Sequence, residues 1–326
     1  MPEQIAEKKD EFYKDMLPAL LLPLIMSLHF YGLRAFLICL VSVSGAVISE
    51  LIGSKIIKEM PQLSDCGSIY IGLLLALMMP ASVKLWIPLL GSAFAVMFVK
   101  IPFGGVYSSP FSCTAAAFSF LSICKSTEIF AYPVLKNDAS AAVFGSEDFI
   151  AGTSAAQSLL QNKTHGVTAV EIINTFIGSV PGPMGMTAAV VLLGLLFYIL
   201  VRRPKSFINA MSFLVTCFIG CVITAAVDCG SLFSLNSMRM VCIRLFSGFT
   251  LCIAVFLITE EPQSPKKNLH RIIYGAAAAA GYLLLRRFSV FEDAGCFAVL
   301  AVNAIWPAAE KYISSPRKKT EVTADE

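Results

Sequence analysis

Residues 184–201 run for eighteen positions without a charged side chain, and the chain carries similar apolar stretches along most of its length. Runs of this length match a helix that crosses a bilayer. An outer-membrane barrel would instead alternate apolar and polar residues with period two, and these runs are unbroken. The composition agrees: 56% of the 326 residues are hydrophobic and 14% are charged, with a mean hydropathy of +0.74. An ordinary soluble domain is about 25% charged, so a soluble globular enzyme is excluded, as are collagen-like, disordered and disulfide-scaffold classes.

The ten cysteines lie mostly inside apolar runs, where Cys serves as a small hydrophobe. Three histidines are too few and too scattered for a haem or zinc protein, and no metal site is expected. Cys217 and Cys221 share a helix face, but a cluster would want four thiols. The first residues are charged (Glu3, Glu7, Lys8, Lys9, Asp10, Glu11) and no small-residue cleavage site follows the first apolar run. That run is therefore expected to stay as a helix.

Ten spans are expected: roughly 16–33, 35–53, 66–81, 84–99, 108–124, 184–201, 206–227, 239–259, 269–286 and 290–309. The third and fifth are short or interrupted by Pro and Gly. Backbone that leaves the helix at that depth must be covered by protein or water. An even number of spans puts both termini on one side. With that side cytoplasmic, sixteen of the 25 Lys and Arg lie inside, as the positive-inside rule requires. Arg286 and Arg287 run against it. Glu50, Asp228 and Arg244 lie near span ends, where they are expected to snorkel.

The resulting organisation is a cytoplasmic tail (1–15), five spans (16–124), a long polar loop outside the cytoplasm (125–183), five more spans (184–309) and a second cytoplasmic tail (310–326). The halves echo one another. Met78-Met79-Pro80-Ala81-Ser82-Val83-Lys84 leads to an apolar span, Lys100 and Phe103-Gly104-Gly105. Ser264-Pro265-Lys266-Lys267 leads to an apolar span, Arg286-Arg287-Phe288 and Glu292-Asp293-Ala294-Gly295. Five spans is an odd number, so the second half would be inverted. Inverted repeats place their site at broken helices near the midplane. Recurrent loop chemistry in any multi-span protein would give a similar echo.

Four constellations could carry chemistry. Asp148-Phe149-Ile150-Ala151-Gly152-Thr153-Ser154 offers hydroxyls on a small-residue stretch in the long loop, and Gly152 admits close approach of another protein. A Gly/Ser/Thr turn reads the same way. Ile177-Gly178-Ser179-Val180-Pro181-Gly182-Pro183-Met184-Gly185 fixes an irregular backbone before span six. Its amides could hold an anion or a flavin edge, or simply start a helix. Thr259-Glu260-Glu261-Pro262-Gln263-Ser264-Pro265 puts two carboxylates at a membrane edge, suited to a cation or a proton relay, or to a solvated helix stop. Phe103 to Phe111 precedes span five and suits an interhelical loop as well as a site.

In this order and spacing, the four stretches resemble the RnfD/NqrB family. Its members are membrane subunits of Rnf ferredoxin:NAD oxidoreductases and of sodium-pumping NADH:quinone reductases. The resemblance runs from about residue 70 to 310. Gly104, Gly105, Pro110 and Phe111 match one family stretch, with Ser109 and Ser112 where the family has Asn. Gly178, Pro181, Gly182, Gly185 and Thr187 match a second, with Met186 at a Glu position. Thr259, Ser264 and Pro265 match a third, with Glu260 in place of Asp. Asp293 to Ala298, followed by Asn303, matches a fourth. The family's flavinylation motif falls on Asp148 to Ser154, with Ser154 at the acceptor Thr and Thr153 replacing Ala.

The resemblance implies an all-α integral membrane protein of about ten transmembrane helices in two inverted five-helix repeats. It implies FMN joined by a phosphoester to Ser154, with Thr153 as the adjacent hydroxyl, Asp148 and Gly152 as recognition residues, and room for a second, non-covalent flavin at Gly182 and Gly185. It implies an ion path through Glu260 and Asp293. The chain would be a subunit passing electrons through flavin, coupled to Na⁺ or H⁺ movement, and turning over no substrate alone. Its partners would be the other subunits, a flavin transferase and lipid, with no nucleic acid, in a bacterial cytoplasmic membrane. Two other readings stand beside it: a non-redox transporter or channel of the same architecture, and a structural membrane scaffold.

Overall fold

A computed structural model of the chain describes residues 11–58, 66–133, 151–152, 169–229, 235–246, 249–288 and 294–314. Among them 79% is helix. The first half contains α1 (Glu11–Tyr31), α2 (Leu33–Ile57), α3 (Gly67–Leu77), α4 (Trp86–Phe94, continued by a π-helical stretch, Ala95–Lys100), α5 (Cys113–Cys124) and the single turn α6 (Ser126–Ile129). The second half contains α7 (Ala169–Ile177), α8 (Ala189–Arg202), α9 (Pro204–Cys229), α10 (Leu235–Phe246), α11 (Thr250–Cys252, continued by a π-helical stretch, Ile253–Leu257), α12 (Asn268–Phe288) and α13 (Gly295–Ser314). Between the halves, β1 (Tyr132–Pro133) and β2 (Ala151–Gly152) form a two-residue antiparallel pair.

The helices are built inside out. On α9, Val215, Phe218, Ile219 and Ile223 are exposed at helical spacing. On α2, Phe36, Leu40, Ile48 and Ile52 are exposed, while Ser42, Ser49, Glu50 and Ser54 are buried. In water such faces would drive aggregation; in hydrocarbon they are the solvated surface, and the polar groups bond inside. Among the described residues two helices are long and apolar enough to cross a membrane alone, α2 and the Pro204–Val227 part of α9. A third is obtained if α10 and α11 with its π-helical extension are taken as one bent span.

The expected third span is only 11 residues of helix, α3, about 16 Å at 1.5 Å per residue, half of a hydrocarbon core of about 30 Å. It is buried on every face, Tyr70 and Leu74 to Leu77 being wholly covered. The expected eighth span, 239–259, is not one helix. Its axis bends by 54° between Ser237–Phe246 and Thr250–Leu257.

Candidate functional site

The two short buried helices end in unwound backbone; the first end is closed by the opposite half of the chain, and the second is closed from its own half and bonded to the opposite one. At the end of α3, the carbonyl of Leu77 accepts from Gly185 N–H at 2.9 Å and that of Met79 accepts from Met184 N–H at 3.0 Å. Helix-end carbonyls need such partners when buried. Arg34, at the start of α2, donates from Nε to the Ala81 carbonyl (2.6 Å) and from Nη2 to that of Val83 (3.1 Å). Tyr31 donates to the Gly182 carbonyl at 3.2 Å.

The glycines of this segment permit tight packing. A Cβ on Gly185 would stand 2.7 Å from the Leu77 side chain, and one on Gly182 would stand 2.7 Å from the Thr187 methyl. Gly178 has a φ of +97°, and a Cβ there would meet the Ala188 backbone at 2.8 Å. The Met184 and Gly185 amides, read from sequence as open to a ligand, are therefore donated to α3.

At the end of the π-helical stretch 253–257, Asn209 Nδ2 donates to the Ile258 carbonyl (3.2 Å) and to Ser264 Oγ (2.7 Å). Ser264 Oγ donates to the Glu260 carbonyl at 2.8 Å. Gln263 Nε2 reaches into the first half, to the carbonyls of Ser109 (3.3 Å) and Phe111 (3.2 Å). The structure thus joins the 103–111 and 259–265 constellations, which the sequence separates by some 150 residues.

Glu260 is 3% exposed. The Ser112 side chain stands beside its carboxylate, and Tyr13, Tyr70, Cys113 and Tyr274 lie within its electrostatic reach. Tyr13 packs edge-on against Tyr70 (ring centroids 5.1 Å apart) and Tyr107 (5.3 Å). The buried Tyr70 hydroxyl has no hydrogen-bond partner among the described residues. An acidic group thus sits in an aromatic corner drawn from both halves. Next to it, Glu261 is a third exposed and pairs with Arg203 Nη1 at 3.0 Å. Burial opposes the charge of the Arg203 guanidinium, but Glu261 and Asp15 beside it raise its pKa above the ordinary value.

One buried group escaped the sequence reading. Glu50 does not snorkel: its Oε1 accepts from Lys100 Nζ at 2.8 Å, and Lys100 also donates to Ser68 Oγ at 3.0 Å. The signal was present, since an ionisable residue inside a span calls for a partner inside the membrane.

The remaining sequence candidates divide by position. Gly152 lies in β2, paired with Tyr132, and the Ala131 carbonyl accepts a hydrogen bond from Ser82 in the unwound 78–84 stretch. The chain two residues before Ser154 is therefore tied to the first helix break. Asp148, Thr153, Ser154 and Asp293 lie outside the described residues.

The model of the NQR2, RnfD, RnfE family matches residues 6–319. The D subunit of the ion-translocating oxidoreductase complex of Escherichia coli O139:H28 (strain E24377A / ETEC) is 26% identical over 317 residues, covering 89% of this chain and 88% of that protein. The protein of the same name from Escherichia coli (strain SMS-3-5 / SECEC) is 27% identical over 320 residues, with the same coverage.

Proposed function

The chain belongs to the NQR2, RnfD, RnfE family, and from that premise we propose that it is a multi-pass membrane subunit of an ion-translocating redox complex, working alongside other subunits. The observation that carries the reading is the pair of buried helix breaks, each bonded across to the opposite half, with the carboxylate of Glu260 at one of them. The names of the relatives point the same way.

The finer reading is ten spans in two inverted repeats, with both termini in the cytoplasm of a bacterial cell. Matched packing supports the repeat: α2 packs on α3 and α4, and α9 packs on α10 and α12. In each half a long apolar helix flanks a short or bent one. Buried, non-helical backbone at the two breaks suits a site for an ion, since inverted-repeat membrane proteins place their ion sites at broken helices. Glu260 supplies a carboxylate at the second break, and Asp293 is the other acidic residue of the proposed ion path.

Covalent FMN on Ser154, with Thr153 as the alternative acceptor and Asp148 and Gly152 as the recognition residues, completes the proposal. FMN supplies one- and two-electron transfer when attached. The chain supplies the tether, anchored through the Gly152–Tyr132 pairing beside the first break. A second, non-covalent flavin belongs to the same reading.

Peptide mass spectrometry on material co-expressed with a flavin transferase tests the attachment. The mass of FMN is expected on a peptide covering 148–160, lost in Ser154→Ala and reduced in Asp148→Ala. A fluorescent band on a denaturing gel under ultraviolet light gives the same answer on whole protein. An unmodified peptide from a fully active complex would falsify the covalent flavin. A colourless protein that still moves ions would favour the transporter reading.

A further inference from the structure

Arg203 holds the two halves together at the end of α8. Its Nη2 and Nε reach Asp15 Oδ2 on α1 at 2.9 and 3.2 Å, its Nη1 reaches Glu261 Oε1 at 3.0 Å, and its guanidinium lies 5.4 Å from the centre of the Phe12 ring. Ser206 Oγ also donates to Glu261 Oε1, at 3.3 Å. One guanidinium therefore clasps the first turns of α1 to the turn that bears Glu260. Asp15 and Glu261 are each about a third exposed, so water competes for both contacts.

A second guanidinium lies within electrostatic reach of the same carboxylate, and two of its nitrogens are unpartnered among the described residues. Arg271, in the first turn of α12, is 6% exposed, and its Nε and Nη1 have no hydrogen-bond partner among the described residues. Burying charged donors without an acceptor is costly. Glu261 is the carboxylate within electrostatic reach of Arg271. The packing explains why. Gly275, one helical turn after Arg271, is pressed against α9, where a Cβ would stand 2.6 Å from the Asn209 carbonyl oxygen. Arg271 therefore shares the α12 face turned to the start of α9, where Ser206 already holds Glu261. The buried Asn209 Oδ1 also lacks a partner, but as a neutral acceptor it offers hydrogen bonds and no counter-charge.

We propose that Arg271 is a second seat for the Glu261 carboxylate, and that transfer of Glu261 between Arg203 and Arg271 releases and resets the clasp between α1 and the 258–265 turn. Arg203 follows the end of α8 and Arg271 is in the first turn of α12, so the two seats lie on different helices. With Glu261 on Arg203, the turn is pinned to α1. With Glu261 on Arg271, it is pinned to α12 and α1 is free of it. That this gates access to Glu260 rests on the ion-translocating reading above; the exchange itself does not.

The test uses the full-length chain in detergent or nanodiscs. Glu261→Gln, Arg271→Gln and their combination are made in the native and in the Arg203→Gln background, and the eight thermal midpoints give the Glu261–Arg271 coupling with and without Arg203. Removing Arg203 should raise that coupling by about 2 °C or more, since the carboxylate then occupies the second seat. Equal coupling in both backgrounds overturns the exchange. Where Arg203→Gln does not fold, Arg203→Lys should give a smaller change of the same sign. Hydrogen exchange of the 258–265 peptide supplies the second readout. Arg271→Gln should slow it, because the turn is then held on Arg203 alone; an unchanged or faster rate overturns the proposal. Neither readout involves flavin or ion movement, so failure here leaves the redox reading intact, and absence of flavin leaves the exchange intact.

Discussion

Lys100 Nζ and Glu50 Oε1 meet at 2.8 Å with both side chains almost wholly buried, at 2% and 3% exposure. The pair links the middle of the first half: Glu50 is on α2, Lys100 ends the π-helical stretch after α4, and Ser68 at the start of α3 takes a second bond from the ammonium. Three helices are thus fixed at one point by charge.

Removing one partner leaves the other charged and uncompensated. Lys100→Met or Glu50→Gln alone should each cost about 3–5 kcal/mol, whereas the double substitution should recover most of the loss. Thermal unfolding of the solubilised protein measures this. A double variant as unstable as the sum of the singles would show that the two charges are not coupled.

How much of this could be read from the sequence depends on the range of the interaction. Apolar runs are local, so the positions of α1, α2, α9, α12 and α13 follow from them to within about five residues at each end. The interruption of the third span was legible in Met78-Met79-Pro80, which ends α3 at Leu77. The bend in the eighth was not, because residues 239–259 carry no proline to mark a break. The four constellations were visible as stretches, but their pairing was not. Gln263 to Ser109 and Gly185 to Leu77 are contacts between halves, and one sequence holds no trace of them. The same holds for Glu50 with Lys100: each reads as a residue near a span end until the fold brings them together.

Two glycines with opposite surroundings separate packing from propensity. Gly178→Ala forces a left-handed backbone and a Cβ into the Ala188 backbone, and should destabilise by about 1–3 kcal/mol. Gly194, within α8, has open space around its would-be Cβ. Gly194→Ala should be neutral or stabilising by up to about 1 kcal/mol. Midpoints of thermal unfolding on both variants settle the comparison, and equal losses would refute the account of the 178–187 segment.

Topology can be read in intact cells. In a Cys124→Ser background, which removes an exposed native thiol, a cysteine introduced at position 140 should react with an impermeant maleimide, and one at position 320 should be spared. The charge distribution motivates this, with sixteen of 25 Lys and Arg on the proposed cytoplasmic side. Reaction at 320 alone would reverse the orientation of the chain.

The neighbouring carboxylates Glu260 and Glu261 should differ in function because they differ in burial. Glu260 is 3% exposed in the aromatic corner of Tyr13 and Tyr70. Glu261 is a third exposed and held by Arg203. A cation or proton moving through covered backbone needs a carboxylate without a fixed counter-charge, and Glu260 meets that requirement better than the paired Glu261. Glu260→Gln keeps the shape and removes the charge. In the assembled complex it should slow ion-coupled turnover by on the order of tenfold, equivalent to about 1.4 kcal/mol, with electron input unchanged at low driving force. Glu261→Gln should have a smaller effect. Ion uptake into vesicles, measured with turnover in the same preparation, distinguishes the two. Equal and negligible effects of both substitutions would mean that Glu260 is a buried helix stop and that ions take another route.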